Sequence, residues 1–140
     1  MMRNLLFGSI FFIGLLSHGQ QVCFLGIGGH DNETIAEVFQ LNEQQLENLK
    51  NWSAELKFRN EIFELRAENL LKTHAQSSPE DLMKMSYDYR GFIDSIKANM
   101  RLLDKRMLST FNTQQYNLYV QLCNSIYRSP IYTSRSVNEK

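Results

Sequence analysis

The chain has 140 residues, and its 15 Lys and Arg are balanced by 15 Asp and Glu. That balance excludes the basic footprint of a nucleic-acid-binding protein, so no nucleic-acid partner is expected. Two cysteines exclude a disulfide-dense toxin or growth-factor scaffold, and no His-x3-His or Cys-x2-Cys spacing offers the ligands of a built zinc site.

Residues 1–19 have the layout of a secretory signal peptide. Arg3 supplies a short positive region, and Leu5 to Leu16 is an apolar run broken only by small residues. Ser17 and Gly19 are the small residues expected before a cleavage site after Gly19. The run is about 12 residues, too short to cross a bilayer as a helix. Cys23 follows Val22, where lipidation chemistry wants Gly or Ala, so a lipid anchor is not expected. Loss of Arg3 with the leader takes the basic count from 15 to 14, for a net charge of about −1. The rest is short enough for one domain, periplasmic or secreted.

Residues 20–33 are glycine-rich and unpatterned, and read as a flexible N-terminal arm. Gly26, Gly28 and Gly29 lack the strand-turn-helix context of a phosphate loop. The helical domain is expected over 34–128. Thr34 to Gln40 can form a short amphipathic helix capped by Asn32 or Thr34. Asn42 with Gln45 makes a capping box, and Leu41 stands where a hydrophobic staple belongs.

No Pro or Gly occurs from there to about His74. Leu46, Leu49, Ser53, Leu56, Asn60, Phe63, Ala67 and Leu70 recur at helical spacing, with Trp52, Phe58, Ile62 and Leu65 widening the stripe. Glutamates alternate with Lys and Arg on the remaining surface, as on a solvated helix face. Ser78-Pro79-Glu80-Asp81 ends this helix and starts another, with Pro at the first helical position and acids in the first turn. Leu82, Met85, Tyr89, Phe92, Ile93, Ile96, Met100, Leu103 and Met107 give its stripe. The short connection predicts an antiparallel hairpin.

Phe111-Asn112-Thr113-Gln114-Gln115 repeats the capping signature. A last short helix should then bury Tyr116, Tyr119, Val120, Cys123 and Tyr127, with Leu118, Leu122 and Ile126 beside them, before Ser129-Pro130 ends it. Residues 129–140 read as a disordered tail.

The chemistry of catalysis is not built in. Cys23 with His30 is the one local nucleophile-base pair, and nothing orients it. No catalytic residue, metal or cofactor is expected, and the chain reads as a non-enzyme. Cys23 and Cys123 can pair in an oxidising compartment; the alternative is two free thiols, Cys123 lying on the apolar face of the last helix. Asn32-Glu33-Thr34 and Asn51-Trp52-Ser53 match the glycosylation pattern, as short matches do by chance. Met and aromatic side chains on the second long helix suit either a core or a surface that adapts to varied apolar partners.

The doubled signature Leu41-Asn42-x-x-Gln45 and Phe111-Asn112-x-x-Gln115 resembles the paired LTxxQ motif of the Spy/CpxP family of periplasmic proteins. Asn stands where Thr is usual in both copies, and Phe replaces Leu in the second. The resemblance spans roughly Thr34 to Tyr127. It implies an all-α, four-helix cradle: a long antiparallel hairpin with short first and last helices, assembled as a homodimer. It further implies a role in extracytoplasmic stress: ATP-independent chaperoning of unfolded proteins, modulation of an envelope-stress sensor or, in some relatives, a response to metal. The alternative is a helical sensor or adaptor for one envelope or membrane partner. The His-rich segments of metal-responsive relatives are absent from this sequence. Trp52, Phe58, Phe63, Met85, Tyr89, Phe92 and Met100 are the expected client-binding residues. The wide stripes also point to a homodimer, since exposed apolar strips of several hundred Å² mark interfaces. No transmembrane segment is expected after the leader.

Overall fold

The computed structural model describes residues 21–134. The signal-peptide reading of 1–19 and the last residues of the expected tail lie outside them. Four helices follow one another: α1 (Asn32–Val38), α2 (Glu43–Thr73), α3 (Pro79–Leu108) and α4 (Thr113–Ser125). The described residues are all-α, with no strand and a single isolated bridge between Val22 and Ser129. α2 and α3 form the expected antiparallel hairpin, about 45 Å long at ~1.5 Å per residue. None of the helices described is long and apolar enough to cross a membrane.

The local rules that start each long helix are visible at its first turn. Ser78 Oγ accepts from the Asp81 amide, Pro79 occupies the first turn where its missing N–H costs nothing, and Glu80 and Asp81 face the positive helix end. Asn42 and Asn112 each accept from the amide three residues on, and each box is closed by the returning glutamine. α1 starts earlier than expected. Asp31 flanks it without a capping hydrogen bond. Asn32 is drawn elsewhere: its Oδ1 accepts from the Gly28 amide and its Nδ2 donates to Ser53 Oγ.

The core sits at one end of the hairpin. Leu49 and Leu56 of α2, Leu103, Met107 and Leu108 of α3, and Tyr119 and Cys123 of α4 are buried together with Ile35, Phe39, Leu41 and Phe111. Between Glu61 and Leu102, Ala67 alone is buried among the described residues. The tip half of the hairpin is therefore a two-helix extension, and polar contacts join the helices where it leaves the core. Asn99 Nδ2 donates to the buried Asn60 Oδ1 at 2.9 Å. Glu55 takes Arg59 and Arg106 at 2.7 Å each, and Arg106 also lies 5.7 Å from the Trp52 ring centroid.

Three expectations need correcting. The arm is not loose where it is described: Cys23 and Ile27 are buried in the core, and Cys23 is disulfide-bonded to Cys123. The tail does not begin as an unstructured segment, because Ile131 is buried and Ser129 pairs with the arm. Tyr127 is not part of the buried side of α4. The helix stops at Ser125, Tyr127 adopts a left-handed backbone (φ 55°), and it is 90% exposed. On α2 the stripe is also narrower than its apolar residues suggest. Phe58, Ile62 and Leu65 are exposed, since at ~100° per residue they fall on the side opposite Leu56.

Two glycines give opposite predictions. Gly28 has φ +76°, and a Cβ there would lie 3.1 Å from Leu56 Cδ2. Gly91 lies within α3, where a Cβ meets nothing within 4 Å. Gly28→Ala should destabilise by about 1–2 kcal/mol, and Gly91→Ala should stabilise by about 0.5–1 kcal/mol. Denaturant unfolding of the two variants checks both signs.

Candidate functional site

The two capping signatures, 70 residues apart, meet in space. Gln45 Nε2 donates to Gln115 Oε1 at 2.9 Å, and Gln115 Nε2 donates back to Gln45 Oε1 at 3.0 Å. The second N–H of Gln45 reaches the Thr110 carbonyl, and that of Gln115 reaches the Phe39 carbonyl, each at 2.9 Å. Each side-chain oxygen also accepts from its own N-cap amide, Asn42 at 3.0 Å and Asn112 at 2.9 Å.

A primary amide has two donors and an oxygen with two lone pairs. Both glutamines use all four, in a buried position where any unmade bond costs about 1–3 kcal/mol. A generic capping box accepts Glu as readily as Gln. This one does not, because a carboxylate has no N–H to return to its partner. The Phe39 and Phe111 rings meet at a 40° tilt with centroids 4.9 Å apart, and Leu41 and Phe111 are buried at the staple positions. Leu41, Asn42, Gln45, Phe111, Asn112 and Gln115 are legible in the sequence as local caps. That the glutamines pair with each other is not legible from either cap alone; two identical boxes flanking a hairpin are the available signal.

A second polar cluster was missed altogether. Asp104 is 1% exposed. Its carboxylate accepts three successive amides of the arm, from Leu25 (2.7 Å), Gly26 (3.1 Å) and Ile27 (3.1 Å). Gly26 has φ +85°, which turns the backbone so that its amides converge, as in an anion-binding nest. Tyr119 continues the cluster: its hydroxyl donates to the Cys23 carbonyl at 2.6 Å and accepts from the Ile131 amide at 2.9 Å. Burial pushes the Tyr119 phenol up to about 12. Burial likewise raises the Asp104 carboxyl, outweighing the three amides that favour its charge. On the surface of α2, hydrogen bonds from Arg59 and then Arg106 hold Glu55 below the usual carboxylate range. Asp104 was hidden in the sequence because it lies beside Leu103 in a charged-looking helix turn, and its partners are backbone groups some 78 residues away.

The seven expected client-binding residues are not in one environment. Trp52 and Met100 pack against the core. Phe63, Met85, Tyr89 and Phe92 are half-buried along the hairpin, and Phe58 stands 78% exposed. The large exposed side chains of the hairpin include Ile62, Leu65, Leu71, Met83 and Tyr87, which were not among the seven. No cluster of three or more His, Cys, Asp or Glu able to hold a metal occurs among the described residues.

Comparison with known proteins returned no matching family model, no matching curated sequence and no matching solved structure.

Asp104 gives a pH prediction. Its folded-state pKa lies above the unfolded value, so the folded protein holds the proton more readily. The resulting stabilisation is complete below the ordinary aspartate pKa and is lost as pH rises through the raised value. Relative to Asp104→Asn, the unsubstituted protein should therefore gain thermal stability as pH falls from neutrality toward the ordinary aspartate range. Paired melts across that interval check it; a flat or rising difference with pH contradicts it.

Proposed function

We propose that this chain is an exported chaperone of the Spy/CpxP type, periplasmic or secreted. In this reading it acts without ATP or any cofactor and is not an enzyme. It binds unfolded proteins on the apolar and charged surface of the α2–α3 hairpin, and works as a homodimer.

The observation that carries the reading is the outward stripe Phe58, Ile62 and Leu65. These side chains follow i, i+4, i+7 spacing on the side of α2 away from the core, flanked by Glu61 and Glu68 on one side and Arg59 and Arg66 on the other. Met83 and Tyr87 repeat the pattern on α3 near the tip. Large apolar groups held outside the core on a capped helix, between charges of both signs, suit transient contact with partly apolar chains. The meeting of the two motif copies at Gln45 and Gln115 supports the family resemblance, since it gives the repeated glutamine one structural reason at both positions. The width of the exposed stripes supports the homodimer.

The test is suppression of aggregation of several unrelated unfolding proteins by the purified protein. Broad suppression is expected, weakened several-fold in Phe58→Ser/Ile62→Ser. Both sites are exposed, so the double variant should unfold within about 1 kcal/mol of the unsubstituted protein. Binding to one saturable partner without broad suppression would favour the sensor or adaptor reading. Undiminished activity in the double variant would remove the stripe from the mechanism.

A further inference from the structure

The arm between Gln21 and Asp31 is held in a way unlike the rest of the core. It contributes no helix, and its regular backbone pairing is limited to the bridge with Ser129, through the Cys23 amide at 2.8 Å and the Gln21 carbonyl at 2.9 Å. What holds it otherwise is side chains of the helices reading its main chain. Asp104 of α3 takes three consecutive amides, and Tyr119 of α4 donates to a carbonyl. Gly28 lies against Ser53 and Leu56 of α2, Ile27 is 1% exposed, and the disulfide fixes the arm's start to α4. The arm thus lies as a curled, turn-containing segment in a groove formed by α2, α3 and α4, with an apolar floor and a carboxylate receptor for backbone N–H.

The helices that form this groove also have contacts with one another that do not pass through the arm. α2 and α4 are joined by the Gln45–Gln115 pair, and α2 and α3 by the hairpin and its Asn60–Asn99 and Glu55–Arg106 contacts. We propose that the Cys23–Cys123 disulfide is a redox latch: its reduction frees the arm and uncovers the groove, while α2, α3 and α4 keep their packing. The proposal does not rest on the chaperone reading.

The chemistry is thiol–disulfide exchange with a protein or small-molecule dithiol. One thiolate of the dithiol attacks Sγ of Cys23, the less enclosed of the two cysteines (6% exposed, against 0% for Cys123). A mixed disulfide forms and Cys123 leaves as a thiolate that takes up a proton. The second thiol of the dithiol, after losing its proton, displaces Cys23, which is protonated in turn. Two electrons pass to the cysteines, and the dithiol ends as a disulfide. The freed arm remains attached through α1. Its three amides then lose Asp104, and Ile27 leaves the core.

Hydrogen exchange on the purified protein, oxidised and after reduction with dithiothreitol, tests the latch. On reduction, the amides of Leu25, Gly26 and Ile27 should exchange at least about a hundredfold faster, while those of Leu103 to Leu108 change less than about threefold. Fluorescence of an apolar dye should rise with the same time course. Cys23→Ser/Cys123→Ser should behave like the reduced protein without any reductant. Protection of the three amides that survives reduction overturns the proposal. So does loss of protection across α2, α3 and α4 together, which makes the disulfide a plain staple of one cooperative core. Release of the arm without a rise in dye fluorescence also overturns it, because no groove is then uncovered.

Discussion

A pair of buried primary amides facing each other can be fully satisfied only if each finds two acceptors and its oxygen finds two donors. Gln45 and Gln115 meet that condition by combining two jobs: closing the capping box of their own helix and pairing with the glutamine of the other. This fixes the start of α2 against the start of α4, although 70 residues separate them. The side-chain amides also take up the Thr110 and Phe39 carbonyls, which belong to the turns leading into the two helices. Four chain segments are joined at one point, and the buried Phe39 and Phe111 rings meet in the turns leading into the two helices. The hairpin base, the placement of α1 and the groove that receives the arm all follow from that junction.

The second constraint is the buried Asp104. A carboxylate taken out of water needs a cation or a set of donors, and here the donors are three consecutive main-chain amides. A helix side chain therefore specifies the path of a segment that has no regular structure of its own. Tyr119 and the disulfide add to this from α4. The molecule has two kinds of interior: a junction in which helices satisfy one another, and an adjoining groove in which helices satisfy a curled, non-helical arm. Loosening the second leaves the first intact in the proposed latch.

The fold was legible because its signals are local. Helix caps at Asn42, Ser78 and Asn112, Pro79 at a first turn, and long stripes free of Gly and Pro define the hairpin and α4 before any tertiary contact is known. What was not legible depends on pairing across the chain. Glycine content made residues 20–33 read as loose, whereas Gly26 and Gly28 are the positions that let the backbone curl onto Asp104 and approach Leu56. Tyr127 continued the periodicity of α4, but the helix ends two residues before it. Phe58, Ile62 and Leu65 widen the stripe of α2 without showing which part of it stays uncovered, because composition does not say which side of a helix meets its neighbour. Trp52 and Met100, read as binding residues, are packed against the core. Aromatic and Met residues serve core and surface equally well, so only their placement separates the two.

The side-chain amide protons of Gln45 and Gln115 report directly on the reciprocal glutamine pair. Nuclear magnetic resonance should find both side-chain NH2 groups exchanging with solvent much more slowly than those of Gln44, Gln114 and Gln121, which are exposed. Scalar couplings across the hydrogen bonds should connect each Nε2 to the partner's carbonyl carbon. Two side-chain amides that exchange as fast as the exposed glutamines would contradict the account, and the two capping boxes would then be independent local features.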